Sequence, residues 1–333
     1  MNPVTHNTVP SPTPSRANHD ANPVEALPPA LLGTVRYRAV GGQLMAYYRS
    51  GPAIGRPLLL VHSVNAAASA AEMRPLFEHY SKTRPVYALD LPGFGLSDRV
   101  DREYTPRVMT DAVLAMLDTM ADLHPGSPVD AIGVSLGCEF LARAALESGH
   151  PPASLTLVSP TGLEHGERHF GAKGTTREKR WLHRLLRLPA LGQALFMQLT
   201  KPNVIRHYLK KTWGSAAIDE RLHAYCCKTV RAEGARHAPL AFLSGQPFSA
   251  DINKVYRRLQ VPVWLAHGVH GDFTHFEGAQ WLVGHNRWTL KVFDTGAMPY
   301  FEQPGAFFVA FDKFTAQPSV RVKAAKELAT STA

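Results

Sequence analysis

Short apolar runs alternate with segments of helical spacing along most of the chain. The runs are five or six residues long and mostly apolar, which is typical of strands buried on both faces of a parallel sheet. We predict strands at Pro57–His62, Val86–Leu91, Val129–Val134, Ser154–Val158, Val261–Ala266 and Trp288–Phe293. Strands that alternate with helices indicate an α/β fold, in which helices cover both faces of a mostly parallel sheet.

Turn and cap signals place further elements. Two strands, Val35–Val40 and Leu44–Tyr48, flank a Gly41-Gly42 pair and are expected to form a hairpin. Thr105 followed by Pro106 predicts a helix start, since threonine caps helix N-termini and proline suits the first helical position. Helical spacing also predicts helices at Ala71–Tyr80, Leu136–Leu146 and Pro304–Phe314.

Residues 163–258 interrupt the alternation, because they show helical spacing only. We interpret them as a helical cap inserted into a core formed by residues 30–162 and 259–315. Residues 1–29 hold seven of the 26 prolines and few large apolar residues, so a disordered tail is expected. Residues 316–333 are small and polar and predict a flexible C-terminal tail.

The composition excludes several classes of protein. With 333 residues, 45% hydrophobic and 19% charged, the chain is neither wholly disordered nor fibrous. Three cysteines are too few for a disulfide framework, which favours a reducing cytoplasm. No apolar run approaches the ~18 residues that span a bilayer, and the first residues lack the features of a secretory signal.

The formal net charge of +9 is concentrated in the predicted cap. Between residues 163 and 214 there are eleven Lys or Arg residues and three Glu residues, a net charge of +8. Helical spacing puts four arginines on one face and an apolar stripe on the adjoining face. The arginines are Arg177, Arg180, Arg184 and Arg187, and the apolar stripe is Trp181, Leu182, Leu185 and Leu188.

Two interpretations of this basic stretch remain open. The first is a cap helix with a solvated basic face and an apolar face packed in the core. The second is a basic amphipathic lid that meets an anionic membrane surface or an anionic substrate. No nucleic-acid recognition motif accompanies the charge, so no nucleic-acid partner is expected.

The chemistry centres on Gly133-Val134-Ser135-Leu136-Gly137, a G-x-S-x-G sequence. It lies between a predicted strand and a predicted helix. A sharp turn there strains the backbone at the serine and lifts its hydroxyl to the carboxyl edge of the sheet, and the glycines permit close approach. The helix N-terminus favours negative charge that develops nearby. The turn is therefore a candidate nucleophile elbow.

Through this motif and three further segments, the chain resembles the α/β-hydrolase family, in particular its capped esterases and epoxide hydrolases. Leu58-Leu-Leu-Val-His62 looks like the family's third strand, Asp90-Leu-Pro-Gly-Phe-Gly-Leu-Ser-Asp98 like the loop after its fourth strand, and Phe301-Glu302-Gln303-Pro304 like its Glu-x-Pro segment. The resemblance covers residues 32–315. It implies an α/β-hydrolase fold with an inserted helical cap.

The resemblance also implies a reaction and its residues. Ser135 is the implied nucleophile, the backbone N–H groups of Val64 and Leu136 the implied oxyanion hole, and Asp272 the implied acid. The implied activity is hydrolysis of an ester or related acyl bond in a small, hydrophobic substrate. No organic cofactor is implied.

Two positions depart from the family pattern. Ser63 stands where the family commonly has a glycine after the histidine of the oxyanion loop. Ala297 follows Gly296 at the usual position of the catalytic histidine. Because alanine cannot accept a proton, a serine without another base should lose orders of magnitude in rate.

Three explanations of Ala297 remain open. In the first, another histidine serves as the base. The candidates are His270 and His275, which flank Asp272, and His62, which lies near the oxyanion loop. A lost or altered activity is the second, either ligand binding without turnover or a lyase on the same scaffold. The third is a deliberate inactivating substitution at Ala297.

Metal chemistry receives little support from the sequence. His267, His270, Asp272 and His275 offer imidazole and carboxylate groups that could suit zinc or iron. Their spacing matches no strong metal signature, so no metal site is predicted.

Overall fold

One eight-stranded sheet runs through the described residues, which are 26–164, 171–272, 276–282 and 285–317 of a computed structural model. The strands are β1 (Thr34–Val40), β2 (Gln43–Ser50), β3 (Leu58–Val61), β4 (Val86–Leu89), β5 (Asp130–Val134), β6 (Ser154–Val158), β7 (Val263–Gly268) and β8 (Trp288–Phe293). All eight predicted strands are present, with ends that differ by at most two residues.

The strand order is β1-β2-β4-β3-β5-β6-β7-β8. The β1–β2 hairpin is antiparallel, and β2 also pairs with β4 in antiparallel fashion. All remaining pairs are parallel. The carboxyl ends of β3 to β8 therefore meet at one edge, where loops carry functional groups in such folds. The predicted fold class, an α/β-hydrolase arrangement with a mostly parallel sheet, is confirmed.

Eleven helices lie in the described part of the chain. They are α1 (Arg74–Tyr80), α2 (Pro106–Leu123), α3 (Gly137–Glu147), α4 (Arg180–Leu186), α5 (Pro189–Leu199), α6 (Pro202–Trp213), α7 (Glu220–Thr229), α8 (His237–Leu243), α9 (Ile252–Arg258), α10 (Pro299–Glu302) and α11 (Pro304–Thr315). The Thr105 cap is confirmed, since its side chain accepts a hydrogen bond from the Val108 N–H. None of the helices in these ranges is long and apolar enough to cross a lipid bilayer.

The strand pleat divides the core into two apolar clusters. Leu59 and Val61 of β3 pack in the cluster that contains α2 and α3. Leu58 and Leu60, their neighbours in sequence, pack in the cluster that contains α1 and α11. Because successive side chains of a strand point to opposite faces, a continuously apolar strand requires helices on both sides.

Helix α9, the last helix of the predicted cap, packs against the core. The predicted cap extends to residue 258 and so includes α9, but Ile252 and Val255 of α9 are buried in the same cluster as α3. The buried Arg143–Asp251 ion pair, with atoms 2.5 Å apart, also ties α3 to the start of α9. The last helix of the insertion therefore belongs to the layer that covers the sheet.

The predicted tails lie mostly outside the described residues. Residues 26–29 are the exception at the N-terminal end, because the Pro28 carbonyl accepts a 2.8 Å hydrogen bond from the Tyr225 hydroxyl of α7. At the C-terminal end only residues 316–317 are described.

Candidate active site

Ser135 lies in the turn that joins β5 to α3. Its φ angle is +51°, in the left-handed region, and Ser159 at +46° is the other non-glycine residue with positive φ among the described residues. Such a conformation is strained by about 1–3 kcal/mol and persists only where the surroundings impose it. The Ser135 N–H donates to the Val158 carbonyl at the end of β6, at 2.9 Å. The strain expected of the G-x-S-x-G turn is therefore present at its serine.

The glycines of this turn permit two close approaches. A methyl group on Gly133 would lie 3.1 Å from the Cα of Cys138 in α3. A methyl group on Gly137 would lie 2.3 Å from the His62 carbonyl oxygen, a distance that real side chains do not tolerate. The absence of a side chain at Gly137 lets the turn pack directly against the loop that follows β3.

Two backbone N–H groups in these adjoining segments have no hydrogen-bond partner within the described ranges. They belong to Val64 in the loop after β3 and Leu136 after the serine. Both side chains are buried, at 4% and 1% exposure. An oxyanion site would require two such N–H groups without a partner, in segments next to a strained serine.

Glu72 holds the loop that carries Val64. Its carboxylate accepts hydrogen bonds from the Ser63 N–H at 2.9 Å, the Ser63 hydroxyl at 3.0 Å and the Asn65 side chain at 2.7 Å. Glu72 lies in a short 3₁₀ helix, Ala70–Met73, and burial raises the pKa of its carboxyl group. Sequence reasoning missed this residue, although one acidic residue in an apolar, alanine-rich run was a detectable signal.

His62 has a structural role in the same loop. Its Nε2 accepts a 2.9 Å hydrogen bond from the Leu91 N–H, and its Nδ1 lies 2.5 Å from the Ser63 carbonyl oxygen. Burial lowers the pKa of His62 to about 4. A neutral ring with its proton on Nδ1 satisfies both contacts. Both ring nitrogens of His62 are therefore engaged, which makes His62 a poor candidate for the base.

Ala297, at the usual position of the base, is buried between two segments. Its N–H donates to the Thr212 carbonyl of α6 at 2.8 Å. Its own carbonyl accepts a 2.7 Å hydrogen bond from the Ser159 hydroxyl. The second strained serine therefore supports the backbone at Ala297.

Asp272 and His270 lie in the loop after β7 and are exposed. The Asp272 carboxylate pairs with Lys211 at 2.8 Å, and His270 pairs with Asp294 at 2.7 Å. His275 lies outside the described residues. In the ranges that are described, no imidazole is hydrogen-bonded to Ser135.

The C-terminal end of α6 lies against both loops. The Lys211 carbonyl accepts a hydrogen bond from the Asp272 N–H at 3.2 Å, beside the ion pair of the same two residues. Trp213 is buried, with its ring centroid 5.3 Å from that of Phe301 in α10. Helix α6 thus ties the insertion to the loops expected to carry the acid and the base, a contact that sequence reasoning missed.

His267, the first of the imidazole groups considered as metal ligands, has other contacts. The Nδ1 of His267 contacts the Gly268 carbonyl at 2.8 Å, and its ring stacks on Phe276 with centroids 4.1 Å apart. No group of three or more His, Cys, Asp or Glu side chains in the described ranges could hold a metal ion.

Comparison with known proteins gives the family and the fold of the chain. The sequence pattern of the alpha/beta hydrolase family matches residues 14–311. A 128-residue segment is 33% identical to the dihydrolipoyllysine-residue acetyltransferase component of the acetoin cleaving system of Pseudomonas putida. That segment covers 37% of this chain and 32% of the relative, so the chain spans about a third of the relative's length.

Two solved structures share the fold over most of the chain. The epoxide hydrolase CorEH is 20% identical, with a TM-score of 0.65, over 85% of this chain and 98% of that chain. A serine hydrolase involved in carbazole degradation is 18% identical, with the same TM-score and the same coverage. At these identities the likeness concerns the fold alone. The family pattern, which spans most of the sequence, supplies the remaining link: the chain belongs to the α/β-hydrolase family.

Proposed function

We propose that the protein is a serine hydrolase that cleaves an ester or related acyl bond of a small, hydrophobic substrate. One observation carries the proposal. Ser135 lies strained in the turn between β5 and α3, half-buried and with no hydrogen-bond partner for its hydroxyl among the described residues. The unpaired N–H groups of Val64 and Leu136 lie in the two segments that Gly137 brings together.

In the proposed reaction, the Ser135 oxygen attacks the substrate carbonyl and its proton passes to a base. The N–H groups of Val64 and Leu136 hold the resulting oxyanion, and each such donor is worth on the order of 3 kcal/mol of barrier. The leaving alcohol takes up the proton, and water then cleaves the acyl-enzyme. We assign the base to His270 or His275 and the orienting acid to Asp272, on the family pattern.

The family match supports hydrolase chemistry. One solved structure of the same fold is a serine hydrolase and another is an epoxide hydrolase, so the fold serves more than one hydrolytic reaction. The serine of the G-x-S-x-G turn favours the acyl reaction, because serine forms acyl-enzymes when a base is available.

A fluorophosphonate probe with peptide mapping tests the nucleophile. We expect labelling of Ser135 in the wild-type protein and none in Ser135→Ala. Ser148→Ala, which removes a serine just after the end of the same helix, should label normally. Hydrolysis of p-nitrophenyl esters should fall at least 10³-fold in Ser135→Ala. A wild-type protein that does not label at Ser135 would refute the proposal.

Paired variants separate the acid role of Asp272 from its ion pair. Asp272→Asn removes the carboxylate, whereas Lys211→Gln breaks the same ion pair and keeps the carboxylate. We expect ester turnover to fall in Asp272→Asn only. Equal effects would assign the contact to cap attachment rather than catalysis.

His270→Gln and His275→Gln, made singly, test the identity of the base. Unchanged turnover in both variants would exclude both histidines as the base.

A second function, binding of an acyl ligand without turnover, is favoured by Ala297 and by the engagement of Asp272 with Lys211. In this case the probe would label Ser135 slowly or not at all, and the protein would not hydrolyse p-nitrophenyl esters. Labelling without turnover, followed by turnover in Ala297→His, would show that the base alone is missing.

We also propose a cytoplasmic location. Its support is the sequence composition and the three cysteines, which are unpaired in the structure. Fractionation of the source cells with an antibody against the chain tests it.

A further inference from the structure

Five large apolar side chains are exposed on the first two helices described in the insertion. They are Trp181, Leu185 and Leu188 of α4 and its C-terminal end, and Leu191 and Met197 of α5. Trp181 is 67% exposed and Met197 is 60% exposed. We call these five residues the α4–α5 surface. Exposed apolar residues are ordinary when scattered singly, but five within 17 positions on two successive helices need an explanation.

Helix α4 has two apolar stripes, and only one is packed. His183 and Leu186 are buried and Leu182 is half-buried, and the two leucines pack in a small cluster with Leu240 of α8. Trp181, Leu185 and Leu188 follow at steps of four and three residues and lie on the outer face. Of the four residues in the apolar stripe read from the sequence, Leu182 alone is partly buried and the other three are exposed.

Cations flank the outer stripe. Arg180, Arg184 and Arg187 repeat with the same spacing, one position before each exposed apolar residue, and all three are exposed. Arg187 pairs with Asp101 at 3.1 Å. Arg180 and Arg184 have no ion-pair partner among the described residues. They are therefore available to an anionic partner.

The neighbouring negative charge is scarce and already engaged. Glu178 is the one acidic residue between positions 171 and 205. Its carboxylate contacts the His183 ring at 2.5 Å and accepts a 3.1 Å hydrogen bond from the Gln246 side chain. Lys179, just before α4, and Lys201, just after α5, add further exposed cations.

We propose that the α4–α5 surface docks on an anionic lipid membrane. Tryptophan and leucine side chains beside a row of arginines are the composition of helices that lie in a membrane interface. The apolar residues would enter the boundary between headgroups and acyl chains, and the arginines would contact the phosphates. A second copy of the chain fits less well, because it would bring two cationic rows together.

Vesicle sedimentation tests the proposal on the full chain. The probes are vesicles of phosphatidylcholine alone and of phosphatidylcholine with 30% phosphatidylglycerol, at 0.1 and 0.5 M NaCl. We expect binding to the anionic vesicles at the lower salt concentration and a loss of binding at the higher one, because salt shortens the range of charge interactions. Equal binding to both vesicle types, or binding indifferent to salt, would overturn the proposal.

A charge-reversal pair tests the residues. Each cation near an anionic surface strengthens binding roughly fivefold, so Arg180→Glu with Arg184→Glu should weaken vesicle binding by about 25-fold or more. Arg287→Glu with Lys313→Glu makes the same charge change at exposed positions elsewhere and should have a much smaller effect. Equal losses in the two pairs would show that net charge, not this surface, governs binding.

An apolar pair tests insertion. Trp181→Ser with Leu185→Ser should weaken binding to anionic vesicles about tenfold or more. Ile54→Ser with Val309→Ser, at still more exposed positions, should bind as the wild type does. Circular dichroism and thermal melting confirm that each variant is folded. Unchanged vesicle binding by the Trp181/Leu185 variant would overturn the proposal. So would a dimer of the wild-type protein in sedimentation equilibrium, if the same variant were monomeric.

Discussion

At the scale of single residues, Glu72 shows how a polar side chain can shape a backbone loop from within the core. Three donors from Ser63 and Asn65 converge on its carboxylate. One of them is the N–H of Ser63, which stands where the family commonly has glycine. The neighbouring N–H of Val64 stays unpaired. Glu72 therefore acts as a positioning residue for the proposed oxyanion hole.

Glu72→Gln tests this role. The amide has one acceptor oxygen for three donors, so the loop should loosen and at least one buried donor should lose its partner. We expect the fluorophosphonate labelling rate of Ser135 to fall 10-fold or more and the free energy of unfolding to fall by about 1–3 kcal/mol. Glu103→Gln, at an exposed position, is the control. Normal labelling with reduced stability would leave Glu72 a purely structural role.

Gly137 is a second residue on which the site depends. Gly137→Ala would place a methyl group 2.3 Å from the His62 carbonyl oxygen, so the serine turn and the loop after β3 must separate. We expect a loss of about 2–4 kcal/mol in the free energy of unfolding, measured in urea, together with slower labelling of Ser135. Gly149→Ala has open space and ordinary φ and should be neutral. A stable Gly137→Ala variant that labels normally would contradict this account.

At the scale of elements, α3 joins the proposed site to the insertion. Its first turn follows Ser135. Farther along, Glu139 accepts hydrogen bonds from the Thr161 hydroxyl at 2.6 Å and the Ser249 N–H at 2.9 Å. One turn on, Arg143 pairs with Asp251 in the interior. One helix therefore carries both the helix N-terminus behind the serine and the polar contacts that hold both ends of the insertion.

Removal of one partner of the Arg143–Asp251 pair should strongly destabilise the protein. Arg143→Met leaves a buried, uncompensated carboxylate, and we expect the free energy of unfolding to fall by about 3–5 kcal/mol. The double variant Arg143→Met with Asp251→Leu should recover most of this loss, apart from the hydrogen bond that Asp251 accepts from the Gly174 N–H. Arg107→Met, which breaks the exposed pairs of this α2 residue with Asp111 and with Glu147 of α3, should lose less than about 1 kcal/mol. Equal losses in the buried and exposed pairs would show that burial is not decisive.

At the scale of the whole molecule, buried carboxyl groups make folding depend on pH. Burial raises the pKa of Glu72, Asp90 and Glu139, and that of Glu139 reaches about 7. A carboxyl group whose pKa is higher in the folded than in the unfolded protein stabilises the fold at low pH. This stabilisation falls as pH rises from the unfolded pKa to the folded one. For Glu139 the window is about pH 4.5 to 7.

Glu139→Gln removes one of these groups and should flatten the pH profile. Urea unfolding at pH 5 and pH 8 measures it. We expect the drop in the free energy of unfolding between the two pH values to be smaller in the variant, by an amount on the order of 2 kcal/mol. Glu147→Gln, at the exposed end of α3, should keep the wild-type profile. An unchanged profile in Glu139→Gln would show that Glu139 does not bind a proton in this range.

Local patterns were sufficient for the fold. A strand buried on both faces must be apolar at every position, so β3 and β5 were recognisable without partners. Threonine followed by proline marked the start of α2 for equally local reasons. The short helix α10 was not predicted, because four residues carry too little periodicity to be distinguished from a turn.

The sequence by itself determined the parallel sheet, the position of Ser135 and the concentration of charge in the insertion, because each depends on residues close together in the chain. Only the tertiary structure decided which other residues they contact. The Glu72 carboxylate reaches Ser63 nine positions away. Helix α6 accepts hydrogen bonds from the backbone of Asp272 and Ala297. Trp181 faces outward although its spacing suits a core. These contacts depend on how elements pack against one another, and residue spacing along one element does not specify its partner.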